Sequence, residues 1–164
     1  MTNAPSTTVM LDSPRVRRLI NIAARWQLLP RLAGDVSVMA DTKWEAVLHR
    51  TQIETARAVL QLIDALLPAL PQLRVENLES AESWSVEPLA FSRAQAQVLA
   101  ELAQRALVAS QLLQPLLKQL PENSSTWFDA RKIVDRLAFE SRELLGYVSL
   151  VDPGRASEIL RASE

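Results

Sequence analysis

His49 is the only histidine of the chain and cysteine is absent. The residue types that most often carry proton transfer, thiolate attack and zinc are therefore nearly missing. With Glu45, His49 makes a carboxylate–imidazole pair one helical turn apart. A di-iron bundle needs two Glu-x-x-His motifs plus further glutamates, and a zinc hydrolase needs a third ligand; the sequence supplies neither set. A lone imidazole can act as a general base, but no activated partner stands beside it. Carboxylates pair at i, i+3 as Glu79 with Glu82 and as Glu140 with Glu143. Acid–base work by such a pair requires burial that splits the two pKa values. The neighbours Arg136, Ser141 and Arg142 predict solvated surface for the second pair instead. Three glycines are too few for a P-loop, and no dinucleotide fingerprint or nucleophile elbow is present. The expectation is a chain without catalytic residues, cofactor or metal.

Arginine is the one charged type that clusters. Arg15, Arg17, Arg18, Arg25 and Arg31 make the first helical segment basic, and Asp12 is the only acid before Asp35. On a helix Arg15 and Arg18 share a face, with Arg25 two turns beyond Arg18. Guanidinium forks suit carboxylate or phosphate. Two readings follow. The arginines form a solvated face or ion pairs to the glutamate-rich segment downstream in the chain; or Arg15, Arg18, Arg25 or Arg50 binds a small anion inside the bundle.

The four tryptophans are the other residues of interest. Trp44 and Trp127 fall near helix starts, where an indole can plug a bundle end and keep its polar edge wet. Trp84 lies in an acidic stretch and has the weakest structural role. It is a candidate partner anchor, together with Arg15, Arg18 and Arg25.

The elements that must position these residues are helical. The chain is rich in Ala, Leu, Gln, Glu and Arg, which enter helices at little cost, and it lacks Asn-Gly and Asp-Gly hairpin pairs. Residues 1–12 read as a flexible leader. Ser13-Pro14 predicts a helix start, followed by the stripe Val16, Leu19, Ile20, Ala23 and Trp26 or Gln27, with Pro30 and Gly34 ending it. Thr42 and Glu45 predict a capping box for a helix whose stripe runs from Trp44 to Leu66 before Pro68. Residues 72–90 form a long acidic loop, with room for a short helical turn. Ser92 and Gln95 predict another capping box; the heptad seam Leu99, Leu102, Ala106, Ala109, Leu113, Leu116, Leu120 follows, with a kink or break at Pro115. Thr126 opens a fourth helix with Gly146 as its C′ residue. Asp152-Pro153 starts a short last one, ending near Ala162. The predicted fold is all-α: an antiparallel bundle of four main helices plus a short C-terminal helix, in one domain over 13–164.

The 164 residues, 48% hydrophobic and 23% charged, suit one such domain. The net charge of −1 gives no global attraction to nucleic acid. Apolar stretches are broken by charge well short of a membrane span. A cytoplasmic protein is the default expectation. Leu60, Leu67, Leu107, Leu112 and Leu117 lie off the principal seams and predict extra core or a homodimer. The function expected is that of a non-enzymatic helical interaction module whose partner is another protein. The alternative is an all-α enzyme or sensor that takes a small anionic ligand through its arginines.

Overall fold

The computed structural model describes residues 8–164, so most of the expected leader lies outside the described residues. Its end is structured. Thr8–Leu11 is a short strand, β1, paired antiparallel with β2, Leu89–Ser92, in the register Val9 to Phe91 and Leu11 to Leu89. Leu11 and Phe91 are fully buried. Four-residue runs are too short for their alternation to show against a helical background, and their pairing joins segments some eighty residues apart that periodicity cannot connect.

The rest is almost wholly helical. The helices are α1 (Ser13–Trp26), α2 (Leu29–Met39), α3 (Glu45–Leu66), α4 (Leu78–Ala81), α5 (Arg93–Leu113), α6 (Ser125–Ser149) and α7 (Pro153–Ala162). The first predicted helix continues as two. Pro30 stands in the first turn of α2 instead of ending α1, a position where its missing N–H costs nothing. Gly34 is inside α2: a Cβ there would meet Gln52 Nε2 at 2.7 Å, so the glycine lets α3 cross closely. Gln52 then donates to the Pro30 carbonyl at 3.0 Å.

Caps explain the helix starts. Asp12, one residue before the expected Ser13, caps α1 by accepting from Arg15 N at 3.1 Å. Asp41 caps a 3-10 turn, Thr42–Trp44, that leads into α3 in place of the expected Thr42 box. The Ser92–Gln95 box forms in both directions, at 3.3 and 2.8 Å. Ser124, not Thr126, caps α6, and Asp152 caps α7. As Pro115 requires, α5 stops at Leu113 and passes into a 3-10 segment, Gln114–Lys118. Gly146 does not end α6, which runs on to Ser149.

The core is one cluster drawn from every long helix. α3 packs on α1, α2 and α5, while α6 packs on α5, α2 and α7. α3 and α5 run antiparallel: Gln95 at the start of α5 donates to the Ala65 carbonyl at the end of α3 at 3.4 Å. At the other end Trp44 Nε1 donates to Gln119 Oε1 at 3.0 Å. The acidic segment holds a 3-10 turn (Val75–Asn77), α4 and β2. Leu73, Leu78, Ala81 and Val86 bury there. Of the off-seam leucines, Leu107 joins the core, while Leu60 and Leu112 stay about half exposed. Among the described residues, no helix is long and apolar enough to cross a membrane.

Candidate functional site

The basic face of α1 meets α6. Arg18 makes a bidentate fork on Glu143, with Nε to Oε2 at 2.7 Å and Nη2 to Oε1. Two turns along α1, Arg25 Nη1 stands 3.5 Å from Glu140 Oε2, and Arg136 Nη1 approaches the other carboxylate oxygen at 3.9 Å. Tyr147 Oη donates to the Arg15 carbonyl at 3.0 Å. The long side chains thus bridge two helices that run antiparallel. The Arg15 guanidinium is exposed and makes no ion pair among the described residues.

Glu140 corrects the sequence reading. It was expected at the solvated surface, but its side chain is 0% exposed. Neither carboxylate oxygen has a hydrogen-bond partner. Burial pushes its pKa up, and the charges of Arg25 and Arg136 pull it only part of the way back. A signal was present: Ile133, Leu137, Glu140 and Leu144 are spaced four, three, four, so Glu140 is in phase with the buried stripe. Burial likewise raises the Tyr147 hydroxyl, with the Glu143 charge adding to it. For Arg18, the bond to Glu143 raises the guanidinium above its ordinary value.

The acidic segment is stitched to the polar edge of α1. Ser13 Oγ donates to the Val86 carbonyl at 2.9 Å, Arg17 Nη2 to the Trp84 carbonyl at 3.1 Å, and Gln27 Nε2 to the Val75 carbonyl at 3.0 Å. The bonds accept through backbone carbonyls, so the glutamates of this segment are not what holds it. Trp84 is partly buried and lines a hollow of about 410 Å³ with Leu70 and Pro71.

A second arginine-rich region lies between α3 and α5. At the end where α3 begins, a cleft of about 420 Å³ opens between Val47, Arg50, Thr51 and Glu54 on one helix and Gln104, Arg105, Val108, Ala109 and Leu112 on the other. Small residues, Ala46 and Ala109, stand where larger ones would close it. Arg50 lies 3.8 Å from Glu54. Arg57 and Arg105 make no ion pair among the described residues. Adjoining the cleft is a chamber of about 20 Å³, lined by Trp26, Thr55, Arg57, Leu102 and Leu137 and sharing Glu54, Arg105 and Ala109 with it. The Trp26 indole N–H is buried without a partner, which costs about 1–3 kcal/mol for a lone donor. The chamber is large enough for one water or one ligand oxygen.

His49 is exposed on α3, and no group of three or more potential metal-ligating side chains occurs among the described residues. Trp127 stacks edge-on with Phe128 at 5.1 Å between centroids, and the Arg131 guanidinium lies 5.1 Å over its ring. Comparison of the chain with protein families, with curated proteins and with solved structures finds no match in any of the three.

Proposed function

We propose that the chain is a non-enzymatic helical protein-interaction module of the cytoplasm, acting as an adaptor, an assembly or secretion accessory, or an immunity or regulatory protein. The observation that supports this is the outer face of α6. Phe128 and Phe139 are 55% and 62% exposed. They are eleven residues apart, so they lie nearly in line on the helix and about 16 Å apart along it. Arg131, Lys132, Asp135 and Arg142 surround them, all exposed. Two aromatic side chains framed by mixed charge have the composition of an interface centre and its rim.

Photo-cross-linking in the native cell tests the reading, with benzoylphenylalanine placed at Phe139 and, as control, at the exposed Glu79. A defined product at Phe139 that disappears with F128D is expected. If that product is the chain itself, the partner is a second copy. No product above the Glu79 background overturns the reading.

A second reading, an anionic small ligand held by arginines, has one observation in its favour. Arg18 and Arg25 of the N-terminal cluster are engaged by carboxylates, but Arg50 stands with Arg105 at the rim of one cleft.

A further inference from the structure

We infer that the α3–α5 cleft is a binding site for a small amphipathic organic anion: a carboxylate carried on a short apolar chain or ring. The inference rests on the second reading above and is independent of the α6 face.

Size is the first argument. A cleft of about 420 Å³ falls in the range of about 300–1,000 Å³ that small-molecule sites occupy. Its chemistry is divided as such sites are divided. Val47, Val108, Ala109 and Leu112 supply an apolar wall, with Val108 and Leu112 each 48% exposed although no core claims them. The polar groups are few and of one sign. Across the cleft and its chamber, Arg50, Arg57 and Arg105 face a single carboxylate, Glu54. Glu54 is within reach of Arg50 alone, so two guanidinium groups are left without a counter-charge among the described residues. A guanidinium fork matches the two oxygens of a carboxylate.

The adjoining chamber holds an unmet donor. An indole N–H only donates, and that of Trp26 is fully buried with no acceptor. Trp26 lines the adjoining chamber, which shares Glu54, Arg105 and Ala109 with the cleft. A ligand oxygen, or a water bridging to it, satisfies that donor while the carboxylate meets Arg105. The apolar body then covers Val108 and Leu112. Neither a simple inorganic anion nor a neutral hydrocarbon uses both halves of the site.

Titration of isotope-labelled protein with decanoate, followed by the indole N–H and methyl resonances, tests the proposal. Saturable shifts are expected at the Trp26 Nε1–H and at the methyls of Val47, Val108 and Leu112. R105A, which removes an exposed side chain that makes no ion pair among the described residues, weakens binding by about tenfold or more, as expected for loss of one charge-assisted bond. Decanol, with the same body and no charge, and acetate, with the charge and no body, each bind at least tenfold more weakly. F139D leaves the titration unchanged, which separates this site from the α6 face. The proposal is overturned by the absence of saturable shifts at these resonances, by decanol binding as well as decanoate, or by wild-type affinity in a folded R105A/R50A double variant.

Discussion

The α1–α6 seam and the α3–α5 cleft are built from the same residue type and end in opposite states. At the seam, Arg18, Arg25 and Arg136 meet Glu143 and Glu140, and the carboxylate at the centre is sealed from water. At the cleft, Arg50, Arg57 and Arg105 have only Glu54 between them, and the space remains open. What separates the two is the supply of acceptors on the facing helix. α6 presents two glutamates one turn apart toward α1, whereas the facing stretch of α5 presents Gln104 and Arg105. Arginines that meet carboxylates become part of the fold; Arg57 and Arg105 meet none among the described residues.

Breaking the seam should produce the largest effect on stability. R25A/R136A leaves Glu140 buried with no counter-charge, and denaturant unfolding at neutral pH should show a loss of about 3 kcal/mol. Removing the carboxylate instead, in E140Q, is milder because Arg25 and Arg136 are each 37% exposed and can turn to water.

The pH dependence has a definite sign. Because burial holds the Glu140 pKa above its ordinary 4.5, the folded chain binds that proton more tightly than the unfolded chain. The contribution to stability is fully present below the ordinary value and is lost as pH rises through the raised one. Unfolding free energies of wild type and E140Q, measured across that interval, should therefore show wild type losing ground to E140Q as pH increases. A difference that moves the other way, or does not move, removes burial as the dominant influence on this group.

The Arg18–Glu143 fork should matter less. It is half-buried, and a double-mutant cycle with R18A and E143A should give a coupling of about 1 kcal/mol, shrinking in high salt. Smallest of all is the effect of R105A or R57A on stability, expected within about 0.5 kcal/mol. If either costs as much as the seam variants, the cleft arginines are structural and the contrast collapses.

Much of the fold was legible. The stripes of α3, α5 and α6 fall where three-and-four spacing puts them, and the Ser92–Gln95 box and the Pro115 break follow from local chemistry. Less legible was anything that depends on what lies across the core. Pro30 and Gly34 look like stop signals, but they begin and thin a helix so that α3 can approach it. Thr8–Leu11 looks like a loose leader because its partner strand is some eighty residues away.

The arginine cluster was visible at once, but its fate was not. Glu143 is 125 positions from Arg18, and only tertiary packing selects it over the nearer glutamates of the acidic segment. Arg105 carries no signal in the sequence because it sits alone among alanines and leucines, and its place in one cleft with Arg50 follows from the antiparallel approach of two helices. In the sequence Trp26 is an ordinary stripe residue, and in the structure it is buried as one. That its N–H lacks an acceptor is a property of the packed structure.

The distinction between engaged and unengaged arginines is open to direct measurement. Brief treatment of the native protein with phenylglyoxal, followed by mass spectrometry of the peptides, reports the reactivity of each guanidinium. Arg50, Arg57 and Arg105 should be modified well before Arg18, Arg25 and Arg136, and decanoate should slow the first set alone. Equal rates in the two sets, or fastest modification at Arg18, would contradict the account.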